Sequence, residues 1–142
     1  MTTVNAYLNF DGNCEEAFNF YKSVFGGDFP FIGRYKDMPA EHPVDEADKE
    51  KIMHMSLPLS DGSILMGSDS AGEWGGNVIA GTNVSLSINT DSKEEADRIF
   101  NGLSAGGKVT MPMNDTFWGS YFGMFTDKYN FHWLVSYDKP QQ

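Results

Sequence analysis

The chain has 142 residues and a mass of 15.8 kDa, the size of one ordinary domain with enough length to bury a core. Twenty acidic residues against ten basic ones leave a net charge of −10, which repels phosphate backbones and anionic lipid, so neither nucleic acid nor membrane is an expected partner. Cys14 is the single cysteine, which excludes an intramolecular disulfide and a multi-thiolate metal site; "MTTVNAYLNF" carries no basic leader or long apolar run, so a soluble cytoplasmic protein is expected.

In chain order, "TVNAYLNF" has strand character and is followed by "NCEEAFNFYKSVFGG". There Asn13 and Glu16 have capping-box spacing, and Cys14, Ala17, Phe18, Tyr21, Val24 and Phe25 form an apolar stripe at helical period. Gly26 ends this helix. Three strand candidates follow, "DFPFIGRY", "KIMHMSL" and "SILMGS", with Asp61-Gly62 as a hairpin turn between the last two. The glycine-rich "AGEWGGNVIAG", residues 71–81, then separates this half from a second one. The strand "TNVSLSIN" leads to "SKEEADRIFNGLSAGG", where Ser92 and Glu95 repeat the capping spacing and Ala96, Ile99, Phe100 and Leu103 make the stripe. "KVTMPM", "SYFGMFT" and "FHWLVSY" complete the half as strands. The same "EEA" opens both helices and "GG" closes both, so the chain reads as an internal repeat of β-α-β-β-β. The expected organisation is α+β: module 1 over about 1–70, a linker over about 71–81 and module 2 over about 82–142.

Alternation assigns faces to the strands, because successive side chains point to opposite sides. Val84, Leu86 and Ile88 alternate with Asn83, Ser85, Ser87 and Asn89; Met53, Met55, Leu57 and Leu59 oppose His54 and Ser56; Phe131, Trp133 and Val135 oppose His132, Leu134 and Ser136. If the apolar sets pack under the helices, His54, Ser56, Asn83, Ser85 and His132 line a shared, partly polar trough suited to a small ligand.

The doubled unit, the opening "YLNFDGNCEEAFNFYKSVFGG", the "HMSLPLSDGSILMGSD" hairpin and the closing "TFWGSYFGMFTDKYNFHW" together resemble the PhnB-like branch of the glyoxalase, bleomycin-resistance and dioxygenase superfamily, the vicinal oxygen chelate proteins. The resemblance covers nearly the whole chain. It implies two modules that form a curved, barrel-like mixed sheet with helices outside and a cleft inside, commonly completed between the chains of a dimer. Metal-using members carry His, Glu or Gln at four cleft-facing positions. The corresponding positions here are Ala6, Asn83, Leu134 and one near Met66, with Leu65 or Gly67 as alternatives; none supplies a carboxylate or imidazole. No metal and no cofactor is therefore expected.

Each candidate residue has a bland reading beside the functional one. His54 and His132 are structural histidines or ligand contacts, His42 is a solvated loop residue, and Cys14 is a buried inert thiol on a helix stripe. Trp118 and Tyr121 are cleft-rim residues or plain packing, whereas Phe131 and Trp133 are core and Asp127 to Asn130 is a turn with Asn130 left-handed. Relatives of this kind often carry a demethylubiquinone methyltransferase label, yet "FGGDF" and "SAGGKV" close helices instead of opening them after a strand, the wrong context for a cofactor glycine loop. The expected function is binding of a small organic molecule by a homodimer with a shared cleft. The alternative is a glyoxalase-type lyase or isomerase, or another enzyme, using His54 and His132 or a non-standard metal site. Residues 37–50, "DMPAEHPVDEADKE", have six acidic residues and almost no apolar ones, and are expected to form a mobile flap over the site or a merely solvated loop.

Overall fold

The computed structural model describes residues 2–39, 44–59, 62–71 and 77–140. His42, Asp61 and residues 72–76 of the expected linker lie outside the described residues. The chain divides into two compact units, Met1–Ile79 and Ala80–Gln142. The first holds β1 (Ala6–Phe10), α1 (Cys14–Phe25), β2 (Phe31–Arg34), β3 (Ile52–Pro58) and β4 (Ile64–Asp69). The second holds β5 (Leu86–Asn89), α2 (Lys93–Ser104), β6 (Lys108–Asp115), β7 (Ser120–Thr126) and β8 (His132–Asp138). Both units are β-α-β-β-β, and both build a mixed four-stranded sheet of the same pattern: β1-β4-β3-β2 and β5-β8-β7-β6. In each, the first strand lies parallel to the last, and the other pairings are antiparallel. The α+β fold with two modules, read from the repeat, is the observed one.

Each helix is amphipathic because its apolar residues recur every three or four positions, and each lays that stripe on one face of its own sheet. In the first unit Ala17, Phe18 and Tyr21 are buried with Leu8, Phe10, Met55, Leu57 and Leu65. Gly67 of β4 permits this approach, since a Cβ there would stand 2.7 Å from Phe18 Cε1 and 2.9 Å from the Leu8 carbonyl oxygen. In the second unit Ala96, Ile99, Phe100 and Leu103 are buried with Phe125, Trp133 and Val135, and Phe100 meets Phe125 edge-on at 5.1 Å. The glycine pairs do follow the helices: Gly26 and Gly27 after α1 and Gly106 after α2 have positive φ.

Three local readings are corrected. Asn13 makes no side-chain cap; the start of α1 is held by Asp69 from the end of β4, whose Oδ1 accepts from Gly12 N at 3.0 Å and Cys14 N at 2.9 Å. Ser92 caps α2 as read, its Oγ accepting from Glu95 N at 3.1 Å, while Glu95 Oε1 accepts from Asp91 N. Met53 does not join Met55 and Leu57 on the helix side in simple alternation. The β2–β3 register moves from Gly33↔His54 to Arg34↔Ile52, so β3 has one extra residue there, a bulge that re-aims its side chains. β5 starts only at Leu86, and Val84 before it is exposed instead of packed under α2.

The loop after β2 is tied at its described ends. Tyr35–Asp37 and Glu46–Asp48 are single 3-10 turns, Lys36 N donates to Lys49 O at 3.0 Å, and Lys36 pairs with Glu50 at 2.9 Å and Lys51 with Asp48 at 2.8 Å.

Candidate functional site

The face of the first sheet turned away from α1 carries the site. Leu8 and Phe10 go to the core, so Tyr7 and Asn9 must point to the other side. The register places Tyr7 beside Met66, Met66 beside Ser56, Ser56 beside Phe31, and Asn9 beside Ser68. This parity corrects the position taken for a metal ligand on β1: Ala6 shares the helix side with Leu8, and the open-face residues of the strand are Tyr7 and Asn9. Met66 is on the open face as expected.

A cavity of about 710 Å³ lies here. It is lined by Tyr7 and Asn9 of β1, Tyr35, Met53 at the β3 bulge, Ser68, Asp69 and Ser70 at the end of β4, and the extended segment Asn77, Val78 and Ile79. The volume is that of a small-molecule site, and the lining mixes apolar walls with a few polar groups. Tyr7 is fixed by His54. Their rings stack at 5.5 Å with an interplanar angle of 26°, and Tyr7 Oη and His54 Nδ1 share a hydrogen bond of 3.1 Å. Phe31 tilts onto the other side of this pair, 5.8 Å from His54. Tyr7 nonetheless keeps 43% of its surface exposed, so this aromatic is both held and accessible.

The floor of the cavity holds one buried carboxylate, tied by backbone groups. Asp69 is 2% exposed, and its carboxylate accepts from three backbone groups: Gly12 N and Cys14 N on Oδ1 and Ile52 N on Oδ2 at 2.8 Å. Tyr35 donates its hydroxyl to the Asp69 carbonyl oxygen at 2.7 Å, and burial, with the Asp69 charge behind it, raises its pKa. Arg34, the cation of β2, is engaged elsewhere, with Nη1 and Nη2 donating to Glu15 at 3.1 and 2.7 Å and Nη1 also to the Glu50 carbonyl at 2.8 Å. That fork holds the Glu15 carboxyl below its usual range. Burial pushes the Cys14 thiol up, which keeps it protonated and inert, as its place on the helix stripe suggests.

Of the seven ligand-binding candidates, His54 and Ser56 are on this open face, His54 acting through Tyr7, but neither lines the cavity. The other five belong to the second unit and none of them lines it. Asn83 and Ser85 are exposed and precede β5. Trp118 stands 59% exposed beside Phe117 in the β6–β7 turn. Tyr121 is on the helix side of β7, not at a rim: its hydroxyl donates to Asp97 of α2 at 2.7 Å, and Lys93 lies over its ring at 4.7 Å. His132 is committed at both nitrogens. Nε2–H donates to the Gly81 carbonyl at 2.7 Å, because a carbonyl only accepts, and Nδ1 then accepts from the Thr126 hydroxyl at 2.9 Å. Asn130 has φ 74, as its turn requires, and Asp127 organises that turn by accepting from Tyr129 N, Phe131 N and Trp133 Nε1. Sequence reasoning passed over Tyr7, Asn9 and Ser68. The signal is present, since "AYLNF" alternates as clearly as "HMSL".

A divalent metal of the superfamily type does not fit the donors present. Open-face positions offer a phenol at Tyr7, a thioether at Met66 and an alkyl group at Leu134, and Asn83 precedes its strand. Among the described residues no three His, Cys, Asp or Glu side chains are grouped so that they could hold a metal ion.

Comparison with known proteins places the chain. It is 40% identical to protein PA1353 from Pseudomonas aeruginosa, covering 99% of this chain and 100% of that one with a TM-score of 0.83. It is 28% identical to a putative 3-demethylubiquinone-9 3-methyltransferase, PhnB protein, from Bacillus cereus, over 96% and 99% of the chains with a TM-score of 0.75. A glyoxylase/bleomycin resistance protein/dioxygenase domain from Frankia sp. is 14% identical over 98% of both chains, and its TM-score of 0.67 shows the shared fold. The model of the 3-demethylubiquinone-9 3-methyltransferase family matches residues 2–136, and with the doubled β-α-β-β-β unit this makes the chain a member of that family, PhnB-like, with the glyoxalase and bleomycin-resistance fold.

Proposed function

We propose that this chain is a small-organic-molecule binding protein of the glyoxalase and bleomycin-resistance type that holds its ligand without a catalytic metal. The observation that carries the reading is the 710 Å³ cavity on the open face of the first sheet, with the held but accessible ring of Tyr7 in its wall. A cytoplasmic location is part of the same reading. The methyl-transfer activity in the family's name finds no support in the glycine pairs, which terminate α1 and α2.

Methionine methyl NMR tests the binding site, because Met53 lines the cavity and Met66 shares its face whereas Met111, Met113 and Met124 are in the second unit. A mixture of small organic fragments is expected to shift Met53 and Met66 first. Shifts confined to Met111, Met113 and Met124 would overturn the site. Elemental analysis of protein purified without chelator tests the other half, and a stoichiometric transition metal would overturn it.

A second reading has one observation in its favour. The hydrogen bond between Tyr7 Oη and His54 Nδ1 makes an acid–base pair at the cavity wall, so a metal-free catalyst using His54 is the alternative. His132 has no nitrogen free for that role. Assembly belongs with the proposal: a homodimer with a shared cleft, and with the modules bounded near 70 and 82, is supported by the edges of β2 and β6, which no second strand pairs among the described residues, and by exposed Phe31, Val109, Met111 and Phe117. Sedimentation velocity should give a dimer at micromolar concentration, and a stable monomer would contradict it.

A further inference from the structure

The cavity also constrains the charge of what enters it. Among the described residues no Lys, Arg or His lines it, and Arg34, the cation of the adjoining strand, is forked onto Glu15 and bonded to Glu50. An anion would enter without a counter-charge, and the chain's net charge of −10 would oppose it from a distance. A cation fares no better at the wall. The lining carboxylate, Asp69, is 2% exposed and turned to the Gly12, Cys14 and Ile52 N–H groups, so a cation finds no exposed carboxylate to pair with. What remains is a set of neutral donors and acceptors, the Asn9 and Asn77 amides and the Ser68 hydroxyl, beside one flat aromatic wall. That wall is prepared in advance: Tyr7 is held by the His54 stack and hydrogen bond, so little rotamer freedom is lost when a second ring lies against it.

Resting on the binding reading above, the geometry points to an uncharged, flat ring bearing hydroxyl or amide groups as the ligand class. The ring packs on Tyr7 and its polar substituents exchange hydrogen bonds with Asn9, Ser68 and Asn77.

Three rings of similar size and different charge test this: resorcinol, benzoate and benzylammonium, each titrated into the whole protein with the Met53 methyl signal as readout. Resorcinol is expected to bind at least about tenfold more tightly than either ion, the discrimination that follows from leaving a buried charge unpaired. In Tyr7→Leu, whose site is already partly exposed and so tolerates the change, resorcinol affinity should fall about fivefold or more by loss of the aromatic pair. Benzoate or benzylammonium binding as tightly as resorcinol at Met53 would overturn the ligand class and leave the cavity as the site. The class would also be overturned if none of the three moved Met53 while the fragment mixture did. If neither probes nor mixture moved Met53, the binding reading itself would go as well. Unchanged resorcinol affinity in Tyr7→Leu would remove the aromatic wall from the account.

Discussion

A histidine's meaning is set by its second nitrogen. His132 sits in the aromatic C-terminal stretch that draws the eye, yet Gly81 and Thr126 occupy both of its ring atoms, and the imidazole closes a turn. His54 bonds only Tyr7 among the described residues and supports that ring from behind. If it is a support, His54→Phe keeps the stack and should hold resorcinol affinity within about twofold, while His54→Ala should lose about threefold or more, as expected for an aromatic pair. Equal losses in both variants, read by the same Met53 titration, would favour a role for the imidazole's proton instead. Tyr121 gives a separate residue-scale test. Its hydroxyl donates to Asp97, is partly buried, and faces Asp115 as well, so its pKa is pushed up to about 12. The neutral phenol is favoured in the folded state; its contribution to stability is therefore complete below the free tyrosine range of about 10 and is lost as pH rises through about 12. Tyrosinate absorbance of the wild type should include a late component near 12 that Tyr121→Phe lacks, and identical curves would contradict the contact.

Two helices with matching sequence signatures are started by different devices. Ser92 caps α2 itself, whereas α1 relies on Asp69, fifty-five residues downstream of Cys14 in sequence and adjacent to it in space. Ser92→Ala should cost about 1 kcal/mol in denaturant unfolding, and Asn13→Ala only a few tenths, since its side chain makes no cap bond. A loss of similar size at Asn13 would mean that the local capping box forms after all. Elements were legible where local chemistry decides them: both helices, their glycine stops, eight strands and the left-handed Asn130 follow from period and turn residues. The misreadings share one cause. Capping of α1, the bulge that re-aims Met53, and the placement of Tyr121 against Asp97 all depend on partners distant in sequence, which a period-two or capping rule does not contain. The cavity lining was less legible for the same reason. Alternation puts His54 and Ser56 on the open face but neither lines the cavity, Tyr7 and Asn9 obey the same rule and do line it, and Tyr35, Ser70 and Asn77 come to it only through the path of the chain.

At the scale of the whole molecule, the repeat gives two sheets of the same topology, but the described chemistry is unequal between them. The first carries a cavity with a held aromatic and neutral polar groups; the second presents exposed Val109, Met111 and Phe117, part of the surface assigned above to assembly. The cavity presents the Tyr7 ring beside the Asn9, Ser68 and Asn77 side chains, and the central claim is that this lining binds an uncharged organic ring directly. A crystallographic fragment soak is the most direct measurement of that claim. Ligand density is expected against Tyr7 within hydrogen-bond reach of Asn9 and Ser68, with Asp69 still bonded to Gly12, Cys14 and Ile52. Fragments occupying only the second unit, or a metal ion coordinated by protein side chains in the cavity, would contradict it.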